Sequence, residues 1–250
     1  MGMLTVLTQN LRIDVASDRH NDWTHRRPLM EKLLQDYQAD VIAFQEVFEN
    51  QRRDLIAMLP GYAWHGRGRE PDETGEGCYV FWNSQRVQAV AQETFFLAPD
   101  PNQPGLAWDA ACPRICNRVV LKSEEFPVFQ LYNVHLDHLG KVARQKSAEL
   151  VRAHMARSQE PAILLGDFNQ PELFEQLPCL QGLQDAFVIH GADGTGTFHG
   201  FTGHPQSSPI DYILTTSEFS VDFCQLLTDH WDDRYPSDHF GLLAGFEFAY

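Results

Sequence analysis

Ile163-Leu164-Leu165-Gly166-Asp167-Phe168-Asn169 is a short apolar run closed by a glycine, an acid and, two positions on, an amide. Three consecutive apolar residues read as a buried strand. Gly166 permits a sharp exit from it. The i, i+2 spacing of Asp167 and Asn169 points both side chains to one side of an extended segment. A carboxylate placed there can orient or deprotonate a water, and an amide can hold a phosphate oxygen or that water. The same letters also suit an Asx-rich turn that merely ends a strand. Its surroundings favour the chemical reading.

The pattern of an apolar strand ending in polar groups recurs on both sides of this stretch. Residues 4–8 read as a strand running into Asn10, and 41–45 as one ending in Glu46. Residues 128–138 deliver His135, Asp137 and His138, and a strand over 209–214 carries Asp211 near its start. Ser237-Asp238-His239 precedes a closing strand over 240–248. Further strands are expected over 78–82, 87–96, 115–121 and 219–227. Pro28 is expected to open a helix with Leu29, Leu33, Leu34 and Tyr37 on one stripe. A second helix is expected over 51–59, and a third after His138 with Leu139, Val142, Ala143, Leu150 and Val151 on one face. His154 falls near that face and reads as a packed or surface histidine. Residues 66–77, 98–114 and 191–208 read as loops that would shape selectivity, and the proline-rich middle one is long enough to be functional. There is no repeat, low-complexity tract or linker. A single domain over residues 1–250, of the α/β class, is expected.

Composition narrows the function. A formal charge of -15 repels a nucleic-acid backbone unless basic residues cluster, and the densest basic stretches, His25-Arg26-Arg27 and Arg67-Gly68-Arg69, are short. Tight, sequence-independent binding to duplex DNA is therefore not expected. Cysteines stand at 78, 112, 116, 179 and 224, an odd number without a C-x-x-C, which fits neither a disulfide framework nor a zinc finger. Reduced thiols suggest the cytoplasm. No signal peptide, myristoylation motif or membrane-spanning stretch is read, and a monomer is expected.

Asn10, Glu46, His135, Asp167, Asn169, Asp211, Asp238 and His239 nearly all lie at the edge of an apolar strand. If those edges meet, one rim collects four carboxylates, two amides and two imidazoles. Carboxylates so placed repel and raise one another's pKa values. A hard divalent cation relieves this; Mg²⁺ prefers oxygen ligands and needs only one or two carboxylates beside substrate phosphate. Cysteine and multiple-histidine ligands favoured by zinc are missing.

Thr8-Gln9-Asn10-Leu11, Phe44-Gln45-Glu46-Val47, Asn133-Val134-His135-Leu136, Leu165-Gly166-Asp167-Phe168-Asn169, Ile210-Asp211-Tyr212-Ile213 and Ser237-Asp238-His239 occur in this order along nearly the whole chain. The set resembles the endonuclease/exonuclease/phosphatase superfamily of magnesium-dependent hydrolases. The resemblance implies a DNase-like, four-layered αββα sandwich, two mixed sheets packed face to face with helices outside. It implies Glu46 as principal Mg²⁺ ligand (Mn²⁺ substituting), with Asn10 and Asp238 assisting. It implies Asp167 aligning the attacking water, Asn169 and His135 on the phosphate, and His239 on a non-bridging oxygen, oriented by Asp211. Gly75-Glu76-Gly77, Trp108-Asp109, His135-Leu136-Asp137-His138 and Arg144-Gln145 resemble a bacterial, free-standing branch of that superfamily. His135 is similar to the deadenylase and sphingomyelinase branches, whereas abasic-site endonucleases usually carry tyrosine there. Arg67, Glu76, Trp108 and Arg114 are candidate substrate contacts.

Two alternatives stand beside this reading. A dinuclear zinc hydrolase of the metallo-β-lactamase kind would use H-x-H-x-D-H, which residues 133–138 nearly match except for Asn133. A binding module on the same fold would have lost part of the constellation. The expected substrate is a smaller or single-stranded phosphoester.

Overall fold

The computed structural model describes residues 2–190, 194–205 and 208–248. Two six-stranded sheets face each other. The first runs β11 (Phe219–Leu227), β12 (Gly241–Phe248), β1 (Leu4–Asn10), β2 (Val41–Val47), β4 (Gly77–Asn83), β3 (Tyr62–Gly68). The second runs β5 (Gln88–Phe96), β6 (Ile115–Lys122), β7 (Phe129–His135), β8 (Ala162–Asp167), β10 (Asp211–Thr215), β9 (Gln184–Asp185). Each sheet has one parallel pair at its centre, β1 with β2 and β7 with β8, and antiparallel pairs elsewhere. A parallel pair needs a crossover, and a helix supplies it in both cases: α1 (Trp23–Tyr37) and α3 (Lys141–Met155). With α2 (Glu49–Met58) packed beside α1, this is the expected αββα sandwich.

Among the described residues, the three largest of four apolar clusters hold the layers. Val6, Val41, Val80, Leu131, Ile163 and Ile213 are among those filling the space between the sheets. Tyr132, Leu164, Ala148 and Val151 seat α3 on the second sheet, and Leu7, Ile42, Phe44, Leu33 and Leu55 seat α1 and α2 on the first. Towards the rim the space between the sheets turns polar. Gln45 Nε2 donates to Asn133 Oδ1 (2.8 Å) and Thr8 Oγ1 (3.1 Å). Asn133 Nδ2 donates to the carbonyls of Phe44 and Tyr79 (3.0 and 3.1 Å). Buried amides are tolerated because they are partnered, and the partners fix how the sheets dock.

Several boundaries differ from expectation. Helix α1 starts five residues before Pro28, because Asp22 caps it, its side chain accepting from His25 N at 3.2 Å. Pro28 therefore sits inside the helix, where it forfeits only one backbone bond. β3 is not expected from the sequence and runs into the expected 66–77 loop; it is an edge strand whose residues lack apolar alternation. On α3 the buried side is Ala143, Arg144, Ser147, Ala148, Val151 and Met155. Leu139 precedes the helix and Val142 faces outward, because the buried face carries an arginine and a serine that hide its periodicity. All five cysteines are free. Among the described residues no helix is long and apolar enough to cross a membrane. Residues 191–193 and 206–207 of the 191–208 loop lie outside the described residues.

Candidate active site

Parallel strands end in the same direction, so the two central pairs deliver Asn10, Glu46, His135 and Asp167 to one rim. In register His135 lies opposite Asp167, and Asp167 opposite Asp211 at the start of antiparallel β10. β12 runs antiparallel to β1, so Asp238 and His239, just before it, reach the same rim. Glu46, His135, Asp167, Asn169, Asp238 and His239 all border a cleft of about 390 Å³, joined by Glu76 and Arg114. Asn10 and Asp211 are buried just behind its wall.

Gly166 does not end the strand. It sits within β8 at φ +128, where a Cβ would fall 2.0 Å from the Val134 carbonyl oxygen. The strand thus reaches Asp167, and the turn follows: Asn169 adopts φ +49 and its N–H donates to Asp167 Oδ1 at 2.8 Å. The Asx turn and the chemical placement are therefore the same feature. Asn169 Nδ2 donates to the Leu136 carbonyl at 3.0 Å. A similar device exposes Glu46: the β2–β4 register shifts between Phe44 and Val47, and Glu46 takes φ +59.

Asn10 Nδ2 joins the two sheets, donating to Glu46 Oε1 (3.1 Å) and Asp167 Oδ2 (2.9 Å). Its Oδ1 accepts from Arg12 N at 3.0 Å, and Ile13 N donates to Glu46 Oε2 at 3.2 Å. Asp167 Oδ2 also lies 3.6 Å from His135 Nε2 and 3.9 Å from His239 Nε2. Burial opposes charging of His239, but Asp211 Oδ2 at 2.8 Å, with Asp167 and Asp238, outweighs it and pushes the imidazole up to about 10. It is charged at neutral pH. Burial, reinforced by Glu46, raises the Asp238 carboxyl against the pull of His239 and of Arg12, whose Nε is 3.7 Å away. Burial pushes Glu76 the same way, but His135 Nδ1 (3.0 Å), Arg114 Nη1 (3.1 Å) and Arg69 Nη1 (2.7 Å) hold it down to about 2.

A metal fits this donor set. Glu46, His135 and Asp167 each offer a ligand atom within 4.8 Å of the others. Glu46, Asp167 and Asp238 crowd a cleft in which the carboxylate repulsion felt by Asp238 would be relieved by a cation.

Two of the expected substrate contacts are elsewhere. Arg67 borders a separate cavity; its guanidinium donates to the carbonyls of Gly68 and Glu70 and pairs with Glu73, because β3 carries it away from the rim. Trp108 is part-exposed and does not border the cleft. Arg69 also borders the cleft and Arg26 is buried; sequence reasoning singled out neither, since both stand in short basic stretches. Arg26 is 1% exposed. Its guanidinium donates to the carbonyls of Leu11, Arg12, Ile13, Asn21 and Pro236, tying the loop after β1 to the loop carrying Asp238 and His239. No local signal separates such a residue from a solvated arginine.

The sequence profile of the endonuclease/exonuclease/phosphatase family matches residues 7–239. The chain belongs to that family. A family protein of known structure from Bacteroides thetaiotaomicron is 31% identical, with 99% of this chain and 96% of that chain covered and a TM-score of 0.93. A mannosyl-6-phosphatase from the same species is also 31% identical, covering 98% and 100% of the two chains at a TM-score of 0.91. A protein of unknown function from Enterococcus faecalis is 32% identical over 98% and 100% at 0.92. No curated protein sequence matches. As a member of this family the chain is a metal-dependent hydrolase of phosphate esters. Membership also removes the metallo-β-lactamase alternative. Asn133, where that motif needs its first histidine, is buried between the sheets on backbone carbonyls.

Proposed function

We propose that the chain is a magnesium-dependent phosphoesterase, with Mn²⁺ able to substitute, acting as one domain on a small or single-stranded phosphoester. The observation that carries this is the convergence of Glu46, Asp167, Asn169, His135 and His239 on a single cleft. Glu46 would hold the metal, with Asp238 and the Asn10 amide supporting it; when bound, the ion neutralises phosphate charge and positions water.

Asp167 accepts a proton from the attacking water as its oxygen bonds to phosphorus. The bond from phosphorus to the ester oxygen breaks on the opposite side, and that oxygen leaves with the electron pair and is protonated from solvent. Asp167 is suited to this because Asn10, the Asn169 backbone and two imidazoles fix its carboxylate. Charged His239 donates to a non-bridging oxygen, kept in orientation and protonation by Asp211. His135 contacts the phosphate from the other side, and Asn169 donates its remaining amide N–H.

Free thiols fit a reducing, cytoplasmic setting, and a monomer needs no residue from a second copy to complete the cleft. The charge of -15 argues against tight duplex binding. The phosphatase activity in the name of the 31% identical relative supports a small substrate. A panel of phosphomonoesters and phosphodiesters, assayed with Mg²⁺, Mn²⁺ and EDTA, tests the reading. Metal-dependent turnover lost in Asp167→Ala supports it; equal background hydrolysis by variant and wild type would instead mark a binding module.

A further inference from the structure

Arg69 follows β3 of the first sheet and Arg114 precedes β6 of the second, so the two meet across the seam between sheets. They divide one carboxylate: Arg69 Nη1 donates to Glu76 Oε2 at 2.7 Å and Arg114 Nη1 to Oε1 at 3.1 Å. Arg114 is 6% exposed, and the Nε atoms of both arginines are buried without a hydrogen-bond partner among the described residues. Asp137 Oδ2 lies 3.7 Å from Arg114 Nε, but that oxygen already accepts from Ala111 N at 3.0 Å. Arg114 Nη2 lies 3.3 Å from His138 Nδ1. Arg69, Arg114 and exposed His138 border the same cleft as Asp167 and Asn169.

Glu76 anchors both guanidiniums at the cleft wall, while Glu70 Oε1 and Asp137 Oδ2 lie 3.9 and 3.7 Å from the Nε atoms of Arg69 and Arg114, beyond hydrogen-bond range. Their forks are held rigid before any ligand arrives, which favours planar recognition of phosphate oxygens. A diester phosphate carries one negative charge, whereas a terminal monoester carries a second that ionises near pH 6. We propose that Arg69 and Arg114, with His138, form an anion subsite for that second charge, so that the substrate class is the phosphomonoester. The proposal rests on the phosphoesterase reading of the cleft.

The test compares 4-nitrophenyl phosphate with its methyl diester, which shares the leaving group, in wild type, Arg69→Gln and Arg69→Lys with Mg²⁺. Arg69→Gln is expected to lower kcat/KM for the monoester by about tenfold more than for the diester, the scale of one charge-assisted hydrogen bond, with partial rescue by lysine. Calorimetric titration with inorganic phosphate and dimethyl phosphate reads the subsite without turnover. Wild type with Mg²⁺ should bind inorganic phosphate more tightly, and Arg69→Gln should narrow the gap. Equal losses on both esters, or an unchanged gap in the variant, overturn the subsite. If no ester is hydrolysed with any divalent cation but the binding gap behaves as expected, the phosphoesterase reading has failed and the anion subsite has not.

Discussion

Asp167 is the residue through which the rim is organised. It has His135 and Asp211 in register on the two flanking strands, an amide from the other sheet, and two imidazoles within 4 Å of one oxygen. Asp167→Asn keeps the volume but removes the proton acceptor, so kcat should fall by about 10³-fold or more while the melting temperature changes little. Asp211→Asn should cost about 10²-fold, because His239 loses the partner that holds it charged and oriented. A steady-state assay beside thermal unfolding reads both, and full activity in either variant would remove that residue from the mechanism. Gly166 is a different case. An alanine there must adopt φ +128 and displace the Val134 carbonyl, so Gly166→Ala should destabilise by about 3 kcal/mol or more in urea unfolding.

At the scale of elements, the crossover helices do more than connect. α1 carries Arg26 beneath the loop that leaves β1, and five carbonyls from otherwise irregular backbone converge on it. Burial moves this guanidinium down to about 10, so it stays charged at neutral pH. Arg26→Met strands those carbonyls. The expected loss is about 3 kcal/mol, seen as a lower urea midpoint. Arg26→Lys should recover only part of it, since an ammonium has three donors and no planar fork. An unchanged midpoint in Arg26→Met would show that water replaces the guanidinium without penalty.

At the scale of the whole molecule, pH and metal should each change stability with a definite sign. His199 is fully buried, stacked on Phe240 at 4.0 Å, and has no partner for Nε2 among the described residues. Burial, with His239 adding repulsion, takes it down from 6.5 to about 4. Its folded pKa lies below the unfolded one. Its contribution is therefore complete above pH 6.5 and is lost as pH falls from 6.5 through 4, on the order of 2–3 kcal/mol. Urea midpoints measured between pH 7 and 4 should fall less steeply in His199→Gln than in wild type. Adding Mg²⁺ after EDTA should raise the melting temperature, because a ligand of the folded state alone stabilises it by mass action. Glu46→Gln should abolish that rise.

Local chemistry in the sequence determined the layers and most of the rim. Apolar runs that end in Asn10, Glu46, His135 and Asp167 are readable because strand burial and strand termination are both local events. The edge strand β3 and the start of α1 were hidden, the first by its polar, glycine-containing sequence and the second by a proline inside the helix. Which arginines belong to the cleft was decided only by tertiary structure. Arg67 and Arg69 stand two residues apart, yet one turns to the carbonyls of its own loop and the other to Glu76. Arg26, one residue from exposed neighbours on either side, is buried under two loops that join it from opposite ends of the chain. Charge and hydropathy are the same for an arginine in water and one under a loop, so the pairing of distant backbone segments had to choose between them.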